Sequence, residues 1–454
     1  MLTAINPATG ETAYRIDTET PQSLEAKLAA ARNAFKDWRK QPYSERAKLL
    51  NAAAAYMREN VATLAPLMTE EMGKPHKEAL GEVEKAAWCA EHYASNAETY
   101  LTRQVIASDA ALSYVQHLPL GTVLGILPWN APFWLAFRFA APALMAGNSC
   151  LMKHDPHVPG CSAAIANVFR AIGAPEGLFN SLFLETPAVE AVIRDKRIHA
   201  VSFTGSSRGG ALVAATAASE IKPAVLELGG SDPSIILADA DLDKAADVLK
   251  ISRIINAGQS CIAAKRLIVE APVYDAFTEK LKERLAALRM GDPALEETDV
   301  GPIARDDLRQ ELHRQVSETI AQGARCLLGG EMPEGPGYFY PVTLLADVKP
   351  GMCAFAEETF GPVAVIIRAD DAAHALTIAN DTEYGLAASV WTGDAKLGEA
   401  MASEIEAGQV SVNGIVKTDP RLPSGGIKKS GYGRELGPHG ILAFVNAQQV
   451  WIGQ

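Results

Sequence analysis

The sequence predicts an α/β protein built from more than one domain. At 454 residues the chain is too long for one ordinary hydrophobic core. From Val123 onward, short apolar strands alternate with helical segments, which is typical of a parallel sheet covered on both faces. A second α/β series runs from Ser234 to Gln409. Two α/β units in tandem are therefore expected.

The segment before the first sheet is predicted to be mainly helical. Alanine-rich stretches with apolar residues at helical spacing predict three amphipathic helices, at Ser23 to Trp38, Ser44 to Asn60 and Lys77 to Ala97. Ala111 to His117 is short and partly alternating, which indicates a strand.

The two α/β series supply the remaining elements. The first predicts strands at Val123 to Leu127, Ser149 to Lys153, Ala200 to Phe203 and Val225 to Leu228, and helices at Trp134 to Met145, Ser162 to Ala171 and Gly210 to Ala218. The second includes helices at Val273 to Leu288 and Leu308 to Gln322. A final strand, Ala443 to Trp451, has an apolar edge that another subunit could pair with.

Charge and cysteine usage limit the partners. A net charge of −12 argues against nucleic acid or an anionic membrane surface. Six cysteines are scattered without CxxC pairs, so neither a metal site nor a disulfide framework is indicated, and a reducing cytoplasm fits best. The apolar stretch Leu120 to Met152 is interrupted by prolines and contains Arg138, which favours a buried strand–loop–helix over a membrane span.

One thiol and one carboxylate stand out as a candidate catalytic pair. Cys261 is predicted to lie on a short loop, because Gly258 is typical of a helix end and a strand follows at Arg266. Glu227 ends an apolar run and precedes two glycines, where the backbone must turn tightly. A thiol and a carboxylate on separate elements can divide the roles of nucleophile and general base.

The same residues resemble the NAD(P)-dependent aldehyde dehydrogenase family. The segments Leu226 to Gly230 and Gly258 to Cys261 resemble its glutamate and cysteine motifs, and their 34-residue separation matches. The resemblance implies a Rossmann-type cofactor domain (1–99 and 120–229), an α/β catalytic domain (230–430) and a small β oligomerisation arm (100–119 and 440–454). It further implies a homodimer or homotetramer.

The cofactor site follows from this resemblance rather than from a GxGxxG fingerprint, which is absent. A Gly/Ser turn at Gly205 and Ser206 opens a helix and resembles the family's phosphate-binding segment. Lys153 matches a lysine that binds the adenine ribose. NAD-selective members often carry an acid three residues later, where this chain has Pro156, so the expected cofactor is NAD or NADP. The remaining residues that the resemblance places at the cofactor are Leu127, Pro128, Trp129, Leu228, Gly229, Glu358 and Phe360.

The implied reaction is oxidation of a small-molecule aldehyde to its acid. Cys261 would attack the carbonyl, while the Asn130 amide and the Cys261 N–H would stabilise the oxyanion. Hydride transfer to the nicotinamide would leave a thioester on Cys261, and Glu227 would activate the water that hydrolyses it. The same thiol and acid could instead form a cofactor-independent esterase, which remains an alternative.

The substrate prediction depends on three residues. Arg138 and Thr418 match an arginine and a hydroxyl residue of the bacterial succinate-semialdehyde dehydrogenases that the chain resembles, so Arg138 could hold a substrate carboxylate. Trp134 would instead favour aromatic aldehydes. A carboxylate of the protein is the alternative partner for Arg138. Asp419 would repel such a substrate if it faced the pocket, and Ser424 replaces the family's usual aromatic residue. Aromatic or other aliphatic aldehydes are the competing substrates.

Overall fold

The computed structural model describes all 454 residues, and its N-terminal part is helical between two small β units. The elements are β1 Leu2–Asn6, β2 Glu11–Ile16, α1 Pro21–Trp38, α2 Tyr43–Glu59, α3 Val61–Met72, α4 His76–Tyr100, β3 Gln104–Val105 and β4 Leu112–Pro119. The three helices and the strand expected here are confirmed. Helix α3 was missed because Pro66 interrupts its pattern; no helix-interior residue type is less favourable.

The first large sheet follows directly. Its elements are β5 Thr122–Leu127, α5 Pro132–Ala146, β6 Ser149–His154, α6 Pro159–Ala171, β7 Phe179–Ser181, α7 Val189–Arg194, β8 Ile198–Thr204, α8 Ser207–Ser219 and β9 Ala224–Glu227. The strands are parallel in the order β9-β8-β5-β6-β7, with apolar clusters on both faces. The chain reverses its direction of travel through the sheet between β8 and β5, and α/β proteins bind ligands at the carboxyl ends of such strands.

A second sheet is built from the middle of the chain. Its elements are β10 Pro233–Ile236, α9 Leu242–Ile254, β11 Arg266–Glu270, α10 Tyr274–Ala286, α11 Asp306–Ala321, β12 Arg325–Leu328, β13 Thr343–Ala346, α12 Cys353–Ala356, β14 Val363–Ala369, α13 Ala372–Asn380, β15 Ala387–Trp391, α14 Ala395–Glu404 and β16 Gln409–Val412. Seven strands lie in the order β12-β13-β14-β11-β10-β15-β16. The expected α/β fold class is confirmed.

The C-terminal segment returns to the N-terminal half. Its elements are β17 Gly431–Tyr432, α15 Gly437–Leu442 and β18 Val445–Ile452. Strand β17 extends the first sheet beside β9, and α15 packs on α4 and α5. Strand β18 pairs along its full length with β4 of the same chain, forming a three-stranded sheet with β3. One backbone edge of β18 remains unpaired.

Helix α5 is the apolar segment that could be confused with a membrane span. Every one of its fifteen residues is buried inside the protein. None of the helices combines the length and the apolar character needed to cross a membrane. The sequence-based preference for a buried strand–loop–helix agrees with this structure.

Candidate active site

The site lies where loops at the carboxyl ends of the first sheet meet loops of the second sheet. The loop after β5 carries Asn130, whose Nδ2 donates to the carbonyl of Gln259 at 3.1 Å. The turn after β9 carries Gly230, whose N–H donates to Glu358 at 3.1 Å. These contacts bring the Asn130 and Glu227 segments of one sheet against the Cys261 and Glu358 segments of the other.

Unusual backbone geometry positions the cysteine loop. Asn256 and Ala257 have φ values of 54° and 52°, which is uncommon for residues with a side chain. Gly258 also has a positive φ, and a Cβ there would lie 2.2 Å from the carbonyl oxygen of Gly361. The partly buried carboxylate of Glu78 accepts the Asn256 N–H at 2.7 Å. The loop that ends at Cys261 is thus held from several sides.

Cys261 is partly exposed and surrounded by more than one cation. Burial raises the pKa of the Cys261 thiol to about 11, while the positive charges of Lys265 and Arg138 act in the opposite direction. Lys265 is almost fully buried, and its ammonium donates to the carbonyls of Ser260 and Cys261 at 3.0 and 2.6 Å. The sequence analysis did not identify Lys265, although a charged residue leading into an apolar strand was a visible signal.

Asn130 is oriented by a complete set of hydrogen bonds to its backbone carbonyl. That oxygen accepts from the Lys74 ammonium at 2.9 Å and from Asn256 Nδ2 at 3.0 Å. One amide hydrogen of Asn130 is used by Gln259, which leaves the other available to a ligand. The geometry is compatible with an oxyanion donor beside Cys261, and that role stays a prediction.

Glu227 is a buried carboxylate with one oxygen engaged and one free. Its Oε2 lies 3.3 Å from an Arg138 nitrogen, whereas Oε1 has no hydrogen-bond partner in the protein. Burial raises the pKa of Glu227 to about 8, and the Arg138 charge offsets part of that rise. A carboxylate poised near neutral pH with a free oxygen has the properties of a general base.

Arg138 is matched by protein carboxylates. Its Nε donates to Glu435, which also accepts the Ser202 hydroxyl at 3.0 Å, and its Nη2 lies near Glu227. All four of these side chains are buried. The structure therefore shows the alternative that the sequence left open, in which the guanidinium binds acids of the protein. Glu435 was not anticipated.

The other two predicted substrate residues meet around a lysine. Lys85 Nζ donates to Thr418 Oγ1 at 2.7 Å and lies 4.2 Å from the ring centroid of Trp134. Asp419 does not act as a free negative charge there, because Arg421 binds both of its oxygens. Ser424 is buried and exchanges backbone hydrogen bonds with Glu435.

Several residues predicted to bind a dinucleotide lie at the carboxyl ends of β5, β6 and β8. Ser206 caps α8, accepting from the Gly209 N–H at 3.2 Å, so its own hydroxyl hydrogen can point outward. Lys153 is the penultimate residue of β6 and is buried. Burial lowers its pKa and the negative charges of Asp155 and Glu185 act to raise it, but neither carboxylate lies within ion-pair distance of its ammonium. Asp155 instead binds His157 at 2.7 Å. An unmatched cation and a helix N-terminus at this point fit a phosphate-bearing cofactor.

The other residues predicted to bind the cofactor lie close to β5, β9 and β14. Glu358 is partly exposed, 3.4 Å from Lys265, and so close to Gly229 that a Cβ there would lie 2.3 Å from it. Phe360 packs edge-on against Trp129 at 5.9 Å. Leu228 packs on α8 at Gly210, and the Leu127 carbonyl accepts the Asp155 N–H. Contact of these residues and Pro128 with a cofactor stays a prediction.

Fold and site together define an α/β protein with two large sheets, in which a partly exposed thiol and a buried carboxylate lie on loops that meet between the sheets. A sequence profile of the aldehyde dehydrogenase family matches residues 1–450. A probable succinate-semialdehyde dehydrogenase [NADP(+)] from Synechocystis is 47% identical over 99% of both chains. A succinate-semialdehyde dehydrogenase [NADP(+)] from Mycolicibacterium paratuberculosis is 45% identical, over 100% of this chain and 97% of that one.

Solved structures agree with the sequence relatives. The crystal structure of succinic semialdehyde dehydrogenase from Streptococcus pyogenes in complex with NADP+ superposes with a TM-score of 0.98 at 35% identity, covering 100% of both chains. The chain therefore belongs to the aldehyde dehydrogenase family, as the motifs indicated.

Proposed function

We propose that this enzyme oxidises succinate semialdehyde to succinate, with NADP as its preferred acceptor. The observation that carries the chemistry is the position of Arg138, whose charge acts on both Cys261 and Glu227. These two residues come from different sheets, so their common neighbour is evidence that the thiol and the acid share one site. The names of the relatives support the substrate.

Attack by Cys261 opens the reaction. Lys265 and Arg138 stabilise its thiolate, and their effect on the pKa of Cys261 opposes that of burial. As the thiolate adds to the aldehyde carbon, the carbonyl oxygen gains negative charge. The free amide hydrogen of Asn130 and the N–H of Cys261 would stabilise that charge.

The protein supplies the groove for NADP at two points. Ser206 and the N-terminus of α8 would bind the pyrophosphate, and Glu358 would bind the nicotinamide ribose. When bound, NADP provides the nicotinamide that accepts hydride from the aldehyde carbon. Lys265 contacts both Glu358 and the backbone of Cys261, and so holds the two segments next to each other.

Glu227 completes the reaction by activating water. Its free Oε1 can take a proton from a water molecule that attacks the thioester carbon of Cys261. Because burial raises the pKa of Glu227 to about 8, only its ionised fraction can accept that proton near neutral pH, and this fraction grows as the pH rises.

The surroundings of Lys153 favour NADP over NAD. A buried ammonium without a close carboxylate is costly, and a 2′-phosphate would give it an ionic partner. Asp155 is engaged by His157, and Pro156 brings no charge. Neither residue therefore opposes a phosphate here. Both NADP(+)-named relatives are consistent with this preference.

Assembly and location are further parts of the proposal. The β3-β4-β18 sheet exposes Val105, Ile106, Trp451 and Ile452, and one edge of β18 lacks a partner. Such a surface supports a homodimer or homotetramer, which light scattering after size-exclusion chromatography would test; a monomer would contradict it. All six cysteines are free, which supports a reducing cytoplasm.

Absorbance at 340 nm tests the reaction. The purified enzyme should reduce NADP in the presence of succinate semialdehyde, with higher kcat/KM than with NAD or with butanal, its uncharged analogue. Ester hydrolysis without nucleotide, and no cofactor reduction with any aldehyde, would contradict the proposal in favour of the esterase alternative.

A further inference from the structure

Lys85 is a half-buried cation for which the protein supplies no acid. It lies on α4, and its ammonium has one hydrogen-bond acceptor, the hydroxyl of Thr418 at 2.7 Å. The face of Trp134 lies beneath it at 4.2 Å. An ammonium has three donors and a large desolvation cost, so this arrangement leaves most of its binding capacity unused.

The acids around Lys85 are already engaged by other groups. On the same helix, Glu82 pairs with Lys74 and accepts the N–H groups of Phe133 and Trp134 at 2.9 and 3.2 Å. On the C-terminal loop, Asp419 is bound by Arg421. Neither of these two acids is therefore left to pair with Lys85.

Lys85 is connected to the candidate catalytic residues through helix α5. Trp134 and Arg138 are one turn apart on α5 and share a face of that helix. Arg138 in turn acts electrostatically on Lys85, Cys261 and Glu227. Because Arg138 is matched by Glu227 and Glu435, it is poorly placed to take a further carboxylate alone.

We propose that Lys85, together with the Thr418 hydroxyl, binds the carboxylate of an ω-carboxylated aldehyde and so selects it over neutral aldehydes. This inference rests on the proposed function and assigns its selectivity to a residue that the motifs did not include. The Thr418 hydroxyl accepts from Lys85, so its own hydrogen is free to donate to the same carboxylate. Trp134 bounds the site and keeps the ammonium in place.

The electrostatic environment of the free enzyme is consistent with this role. Burial and the nearby Arg138 charge lower the pKa of Lys85 to about 8, against opposing contributions from Glu82, Cys89 and Asp419. An anion bound beside the ammonium would raise that pKa again. Substrate binding and protonation of Lys85 therefore favour each other.

The test compares two aldehydes of equal chain length in charge-altered variants. For Lys85→Met, the ratio of kcat/KM for succinate semialdehyde to kcat/KM for butanal should fall about 10- to 100-fold, the value of a charged hydrogen bond. The loss should be in KM. Lys85→Arg should recover most of the ratio. Succinate should also become a weaker competitive inhibitor of butanal oxidation by Lys85→Met.

Lys77→Met is the matched control, because Lys77 lies on the same helix but pairs with Asp299 at the surface. Its ratio should stay within about twofold of the wild type, since an exposed ion pair is worth little. If Lys85→Met fails to fold, Lys85→Gln removes the charge while keeping a donor for Thr418.

The outcomes separate the inference from the proposed function. A wild-type enzyme that prefers succinate semialdehyde, with an unchanged ratio in Lys85→Met or Lys85→Gln, overturns the role of Lys85 alone. A wild-type enzyme that oxidises butanal but not succinate semialdehyde overturns the proposed substrate. Equal losses for both aldehydes in the Lys85 variants would make Lys85 structural.

Discussion

Two buried cations of the first α/β unit, Arg138 and Lys153, have opposite surroundings. Arg138 on α5 contacts Glu435 and Glu227, and its charge is matched within the protein. Lys153 at the end of β6 has no carboxylate within ion-pair distance, and its neighbour Asp155 is bound to His157. Both were predicted from sequence as ligand-binding residues. Of the two, only Lys153 lacks a carboxylate partner and can pair with an anionic ligand.

This difference shows that a buried cation paired with protein carboxylates has a different role from a buried cation without such a partner. A matched buried cation mainly fixes the geometry of its partners, because removing it leaves them charged and alone. An unmatched cation stores a desolvation cost that an anionic ligand can relieve. By this criterion we expect Lys85 and Lys153 to bind anionic ligands, and Arg138 to orient Glu227.

The largest loss of activity is expected on substitution of Glu227, the partner of Arg138. Glu227→Gln should lower kcat about 10²- to 10⁴-fold, the range typical of a lost general base. In the wild type, thioester hydrolysis should rise with pH through about 8, because the base acts only when ionised and burial raises the pKa of Glu227. Rapid-quench kinetics from pH 6 to 10 would measure this. A rising limb that persists in Glu227→Gln would exclude Glu227 as its source.

Removal of Arg138 should damage the fold more than substrate binding. Arg138→Met leaves Glu435 buried without its cation, which typically costs about 3–5 kcal/mol. Urea unfolding followed by fluorescence would measure the loss. The double variant Arg138→Met, Glu435→Gln should recover part of it. A stable Arg138→Met enzyme whose only defect is a higher KM for succinate semialdehyde would instead make Arg138 a substrate ligand.

Substitution of Lys153 is expected to weaken ligand binding without lowering stability, the opposite of substitution of Arg138. Lys153→Met should weaken NADP binding about 10- to 100-fold through loss of charged hydrogen bonds. Its thermal midpoint should not fall, because no protein partner is left unpaired. Calorimetric titration with NADP and a melting curve test both statements. Unchanged NADP affinity would remove Lys153 from the cofactor site.

A smaller change should follow from a new acid beside Lys153. Pro156→Glu places a carboxylate near the expected 2′-phosphate, and should lower the NADP-to-NAD ratio of kcat/KM about tenfold by like-charge repulsion. Pro156→Gln controls for loss of the proline. Equal ratios in the two variants would show that this position does not face the phosphate.

Local motifs were enough to predict the candidate catalytic residues but not the residues that support them. Glu227, Cys261 and Asn130 each lie in a short segment with its own pattern. Those segments are held by residues far away in sequence, namely Glu78 and Glu82 on α4 and Lys74 just before it. Glu82 could have been suspected, because it interrupts a buried alanine face at helical spacing. The groups that Glu82 binds could not have been predicted from the sequence.

By itself the sequence determined the alternation of strands and helices, the buried character of α5 and the thiol and acid motifs, because these depend on local periodicity and turn chemistry. Only the tertiary structure decided which charges are matched. Arg138 meets Glu435 across 297 residues and Lys85 meets Thr418 across 333. Pairing over such separations depends on how the two sheets and the C-terminal segment pack, and no local pattern encodes it.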